Sequence, residues 1–226
     1  GEQTLTAAFK PFAPRPGAGY ALDVSFTLKK DERSAKAGYE VAHAQFSMPQ
    51  ATTRVAVNTT AMPELKLGEA GTNITITGKG FQVMFDKTSG TFSQLIRDGN
   101  KLLLDGAGPR LHLWRAPHQT DDIWAYRDWQ RCGLNDLKCS VKQVSVNQPK
   151  PGEVRIEVVI DAEGKQDYSV FHSAAFTIYG DGPIVSDDAV TPKGRRIPWA
   201  RPGVRLELSP QYNEVTYLGR GPFENY

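Results

Sequence analysis

The chain has 226 residues, and 27 Lys and Arg against 25 Asp and Glu leave a formal net charge of +2. That length suits one large domain or two small ones, and 39% hydrophobic with 10% aromatic residues excludes a disordered chain. No Lys/Arg stripe marks a nucleic-acid surface, and no apolar run is long enough to span a membrane as a helix.

The N-terminus, Gly1-Glu2-Gln3-Thr4, has no charged start followed by an apolar stretch, so no signal peptide is expected in this chain. Past a turn signal at Pro14-Arg15-Pro16-Gly17, Tyr20, Leu22, Val24, Phe26 and Leu28 alternate with small and polar residues. Such alternation predicts a strand with one buried and one wetter face. The first strand series ends at Phe46-Ser47-Met48-Pro49, and a boundary is expected between Met62 and Gly71, where Gly68-Glu69-Ala70-Gly71 leads into a new series. The piece before the boundary is too short for a comfortable sandwich of its own.

The new series alternates at Ile74/Ile76 and at Phe81/Val83/Phe85, then turns at Asp98-Gly99-Asn100. Asp121 to Leu134 breaks the pattern, placing Trp124, Trp129 and Leu134 among charged residues before Gly133. One or two helical turns are predicted there, with Asp121 or Asp122 as the cap, because an Asp oxygen accepts the free amide hydrogens of a first turn. Strand alternation resumes after Pro149-Lys150-Pro151-Gly152 with Val154, Ile156, Val158 and Ile160. It continues at Phe176/Ile178, turns at Gly180-Asp181-Gly182-Pro183, and ends with Val204/Leu206/Leu208 and Val215/Tyr217. Antiparallel sheets with one wet face give this signature, and an all-β sandwich is the predicted class.

The chemistry-bearing residues are sparse. Cys132 and Cys139 match no zinc spacing and are read as free thiols, at least one of them buried. His43, His112, His118 and His172 are scattered, which favours ordinary surface or core histidines over a zinc site. No nucleophile elbow and no phosphate-loop lysine occur. Lys193-Gly194-Arg195-Arg196 reads as a solvated loop. Two acid pairs stand out. Neighbours on a strand point to opposite faces, so Asp187-Asp188 is a poor glycosidase pair and reads as a solvated turn. Asp121-Asp122 lies in the segment that interrupts the strands, and loops on rigid sheets are where binding residues concentrate.

Four segments carry a resemblance. Trp114-Arg115-Ala116-Pro117-His118-Gln119-Thr120-Asp121-Asp122, followed by Trp129-Gln130-Arg131-Cys132-Gly133-Leu134, resembles the "(W)RAP-x-D-N-D … W … A-G-L" segment of the large bacterial β-galactosidases, glycoside hydrolase family 2. The chain's end, Tyr217 to Tyr226, is similar to their "G-x-G-P-x-E-N-Y" signature through Gly219, Gly221, Pro222, Glu224 and Asn225, which are expected to be structural. Phe85 to Leu95 resembles their "F-D-K-x-x-G-x-L" hairpin, and Ala35 to Phe46 their "A-x-A-G-H-E-x-A-x-x-Q" stretch. Thr120-Asp121-Asp122 stands where the family has D-N-D, with one extra residue after Pro117.

The resemblance implies an all-β layout: 1–62 as a partial immunoglobulin-like β-sandwich, 63–71 as a linker, and 72–226 as the first part of a galactose-mutarotase-like β-supersandwich. It implies a catalytic barrel with paired glutamates elsewhere in a parent β-galactosidase, hydrolysis of terminal β-D-galactosides with retention by that parent, and a fragment inactive alone. Arg115, Asp121, Asp122 and Trp124 are the implied rim of the substrate site. The short loop Ile123 to Asp128, with Trp124 and Tyr126, either offers aromatic faces to a sugar or covers the sandwich end. No cofactor is expected in the fragment, whereas magnesium and sodium are implied for the parent. The implied partners are the β-galactoside, the rest of the parent chain and further copies in a homo-oligomer, with no nucleic acid and no membrane. A bacterial periplasmic or cytoplasmic setting is implied. Two rival readings remain: a stand-alone carbohydrate-binding β-sandwich, and an aldose 1-epimerase, which needs a histidine acid and a glutamate base in one pocket.

Overall fold

The structure, a computed structural model, describes residues 2–4, 6, 13–15, 18–48, 58–120, 124–217 and 219. The chain divides into two compact units, 1–57 and 58–226.

The first unit contains an antiparallel hairpin of β1 (Ala21–Thr27) and β2 (Glu40–Ser47). The register pairs Leu22 with Phe46, Val24 with Ala44 and Phe26 with Ala42, so one face is wholly apolar. The opposite face pairs Asp23 with Gln45 and Ser25 with His43. There Gln45 Nε2 donates to Asp23 Oδ1 at 2.8 Å, and the Ser25 hydroxyl donates to the Glu40 carboxylate. A two-stranded hairpin is marginal in water, and Leu22, Phe26 and Phe46 of its apolar face are exposed. The strand predicted from Tyr20 to Leu28 is therefore present, with its apolar face open.

The second unit begins with a single 3-10 turn at Thr59–Ala61, where Asn58 Oδ1 accepts from the Thr60 amide. A five-stranded antiparallel meander follows: β3 (Lys66–Ala70), β4 (Asn73–Gly78), β5 (Phe81–Asp86), β6 (Thr91–Arg97) and β7 (Asn100–Lys101). The expected linker 63–71 is thus a correction. Leu67 pairs with Ile76 and Glu69 with Ile74, because Leu67 supplies an apolar residue at strand register that the glycines around it mask. Leu65, just before β3, is itself in the core.

Turn chemistry fixes the meander. Asp98 (φ 49°) and Gly99 (φ 80°) both take left-handed conformations, the requirement of a two-residue hairpin whose twist matches its strands. At the β5–β6 turn, Asp86 accepts from the Thr88 amide at 3.0 Å and the Ser89 amide at 3.2 Å, and the Gly90 amide returns to the Asp86 carbonyl at 2.8 Å. Gly90 has φ 69°, and a Cβ there would lie 2.8 Å from Val141 Cγ2. This accounts physically for the Asp-Lys-x-x-Gly motif.

A short strand β8 (Arg110–His112) and helix α1 (Tyr126–Cys132) lead to a four-stranded antiparallel sheet of β9 (Lys138–Lys150), β10 (Glu153–Glu163), β11 (Tyr168–Tyr179) and β12 (Ile184–Gly194), in the order β12-β11-β10-β9. Val154, Ile156, Val158 and Ile160 on β10 face inward with Ala174, Phe176 and Ile178 on β11. They pack against Ile74, Ile76, Val83, Phe85 and Phe92 of the meander, completing a sandwich. Phe92 and Phe176 meet across the sheets at 4.8 Å between ring centroids, and Phe85 stands edge-on to Phe92 at 5.7 Å. Each such buried side chain contributes about 1.5–3 kcal/mol, so this core dominates the unit's stability.

The C-terminal alternation fares differently. Strand β13 (Gly203–Arg205) pairs with β8, and Leu208 bridges to Leu103. Val215 and Tyr217, predicted as a strand, lie outside any strand and are exposed, with no sheet partner among the described residues. Asp187-Asp188 is also a correction, since both lie within β12 rather than in a turn.

Candidate functional site

The segment singled out in the sequence sits at one end of the four-stranded sheet. The predicted helix is α1, closed by Gly133, which takes φ 69° as a left-handed cap and donates to the Trp129 and Gln130 carbonyls. Its start differs from expectation: the cap position is Ala125, which makes no side-chain cap bond. Asp121 and Asp122, the expected cap, lie outside the described residues. Tyr126, assigned to a loop from the sequence, is the first helical residue.

Trp129 is fully buried and organises a second cluster with Leu113, Ala125, Cys132, Leu134, Ala162, Tyr168 and Val170. Its indole Nε1 donates to the Pro198 carbonyl at 2.7 Å. Trp114 and Trp124 stand edge-on to it at 6.3 Å and 5.9 Å. The Arg115 guanidinium lies 5.4 Å from the Trp129 ring centroid, and its Nε donates to the Ala200 carbonyl at 3.3 Å. Cation–π contact of this kind contributes about 0.5–2 kcal/mol. Of the four rim residues read from the sequence, the structure brings Arg115 and Trp124 together around Trp129. Trp124 is 57% exposed, so one side of its ring supports the cluster while the rest meets solvent. Of the expected structural motif, Gly219 lies in an exposed bend, whereas Gly221, Pro222, Glu224 and Asn225 lie outside the described residues.

Three contributors escaped the sequence reading. Trp199 Nε1 donates to the Tyr168 hydroxyl at 2.8 Å. Burial pushes the Tyr168 phenol above its usual range, and the Trp199 bond only partly opposes this. Arg195, read as part of a solvated loop, pairs with Asp128 on α1 at 2.9 Å, and its amide reaches the Asp167 carbonyl. The available signal was Ile197-Pro198-Trp199-Ala200, an apolar stretch between arginines. The cluster is therefore an aromatic platform tied to backbone carbonyls.

The two thiols divide as expected, Cys132 buried and Cys139 exposed. Burial raises the Cys132 thiol above its ordinary range. Among the described residues, no three His, Cys, Asp or Glu side chains gather to hold a metal ion, and no helix is long and apolar enough to cross a membrane.

These features define the class as an antiparallel β-sandwich module with an aromatic platform at one end. The family model described as β-galactosidase small chain matches residues 77–226, and the one described as β-galactosidase, domain 4, matches residues 1–49. The chain belongs to the β-galactosidase small-chain family. A β-galactosidase of Priestia megaterium is 30% identical over 212 residues, covering 92% of this chain and 19% of the relative. One of Psychromonas ingrahamii is 28% identical over 93% of the chain and 21% of its own length, and one of Kluyveromyces lactis 24% identical over 88% and 20%. The chain thus spans about a fifth of the length of the relatives it matches. This family match favours the β-galactosidase reading over a stand-alone binding sandwich or an aldose 1-epimerase.

Proposed function

We propose that the chain is a non-catalytic part of a longer retaining β-galactosidase, in which it shapes one wall of the substrate site. The observation that carries this reading is the exposed Trp124 ring, backed by buried Trp129 and placed beside Arg115. A sugar presents C–H faces that pack on aromatic rings, and a ring fixed by a buried neighbour pays little ordering entropy on contact. Asp121 and Asp122 belong to this rim on the strength of the motif they share with the family. Gly219, Gly221, Pro222, Glu224 and Asn225 take the structural role of the family signature.

In this reading the acid and nucleophile carboxylates belong to a barrel elsewhere in the parent, since hydrolysis with retention needs two carboxyl groups flanking one bond. The parent's magnesium and sodium would likewise be held by residues outside the described ones. The parent is a homo-oligomer acting on terminal β-D-galactosides, in the periplasm or cytoplasm of a bacterium. Steady-state kinetics of the full-length enzyme carrying Trp124→Ala test the rim. We expect KM for a β-galactoside to rise about fivefold with kcat unchanged, the pattern of lost uniform binding worth ~1 kcal/mol. An unchanged KM overturns the rim assignment.

A further inference from the structure

Residues 195–201 return to the aromatic platform as a strap. The Arg195 amide donates to the Asp167 carbonyl at 2.9 Å, and its guanidinium pairs with Asp128 on α1 at 2.9 Å. The Pro198 carbonyl accepts from the Trp129 indole at 2.7 Å, and the Ala200 carbonyl accepts from Arg115 Nε at 3.3 Å. The Arg201 amide donates to the Leu113 carbonyl at 3.3 Å. The strap therefore holds α1 on one side and the segment 113–115 on the other. Trp124 stands just before the first of these pieces, and Arg115 lies in the second.

One side chain of the strap fixes it to the sheet. Trp199 Nε1 donates to the hydroxyl of Tyr168, the first residue of β11, at 2.8 Å. Tyr168 is 2% exposed and Trp199 is half-buried. A phenylalanine at either place would fill much the same space without a polar atom to satisfy, so the N–H and the hydroxyl specify position rather than volume. The peptide unit is planar, and the Pro198 carbonyl shares one with the Trp199 nitrogen. Anchoring the Trp199 side chain therefore restricts the direction of the carbonyl that holds the Trp129 indole. Trp129 in turn backs the exposed Trp124 ring, edge-on at 5.9 Å.

We propose that Trp199 is a positioning residue, whose bond to Tyr168 sets the presentation of the Trp124 ring to substrate through the Pro198 carbonyl and the Trp129 ring. The inference rests on the assignment of Trp124 to the rim. Steady-state kinetics of the full-length enzyme with a β-galactoside test it, using Tyr168→Phe and Trp199→Phe, singly and together, and Tyr168→Phe combined with Trp124→Ala. Tyr168→Phe removes one oxygen, and we expect it to raise KM about threefold with kcat unchanged, the pattern of weakened uniform binding. Trp199→Phe should do the same, and the pair should do no more than either, because both break one bond. On top of Trp124→Ala, Tyr168→Phe should leave KM where Trp124→Ala alone puts it, which a merely structural role would not produce. An unchanged KM in both single variants, a fall in kcat at constant KM, or the same rise in KM with and without Trp124 would each overturn the proposal. If Trp124→Ala raises KM and the two phenylalanine variants do not, the positioning role of Trp199 falls and the rim assignment stands. If Trp124→Ala itself leaves KM unchanged, the rim assignment falls and takes the proposal with it.

Discussion

At Trp129 one side chain ties three segments of the chain together. Its ring packs between Trp114 and Trp124, receives the Arg115 cation, and donates to Pro198. Trp129→Ala removes all of these and leaves a cavity, so we expect a loss of about 3–5 kcal/mol in denaturant unfolding. Trp129→Phe keeps most of the packing and loses the indole bond, and should cost about 1–2 kcal/mol. Equal losses for the two variants would show that packing contributes little. Asp86 acts at the same scale. Burial raises its carboxyl pKa, but hydrogen bonds from Thr88 and Ser89 outweigh burial and hold it below the ordinary aspartate range. A carboxyl depressed in the folded state contributes stability that is full above its unfolded value and is lost as pH falls through the folded one. Losing these exposed hydrogen bonds in Asp86→Ala should cost about 0.5–1 kcal/mol at neutral pH, discounted for solvent screening, and the gap to wild type should shrink on acidification below the ordinary aspartate range. Parallel acid-unfolding curves for the two proteins would contradict this.

The seating of α1 on the sheet depends on a close approach between elements. The β10–β11 connection passes so near the helix end that a Cβ on Gly164 would lie 2.3 Å from the Cys132 carbonyl oxygen. That same oxygen accepts from the Lys165 amide at 2.8 Å. Gly164→Ala must displace one element or the other, at a cost of about 1–3 kcal/mol. The expected sign is a faster reaction of the otherwise buried Cys132 with a thiol reagent, and an unchanged rate would show that the contact yields freely. At this scale the central strands were legible in the sequence. Val154 to Ile160 and Phe81 to Phe85 face a core on one side only, so period two survives in them. Strand β3 was hidden because its edge position buries only Leu67 part-way among glycine, lysine and glutamate. The alternation at Val215 and Tyr217 misled for the opposite reason, since a strand needs a partner as well as a pattern. At the site, the aromatic residues of 114–129 were visible as composition. Trp199 and Arg195 were not, because their role arises from a backbone return some 70 residues away, which no local period records.

For the whole molecule, the sandwich, the aromatic platform and the family match combine in one account. In the function proposed above, the chain would supply structure and a rim to a β-galactosidase, and the reacting carboxylates would belong to another part of the parent. Removing both the acid and the nucleophile leaves no route through a glycosyl-enzyme intermediate. The most direct measurement is hydrolysis of a chromogenic β-galactoside by the purified 226-residue chain, set against a mock preparation and the full-length enzyme. The account predicts no turnover above the mock with the chain alone and ready turnover with the full-length enzyme. Measurable turnover by the chain alone would contradict it.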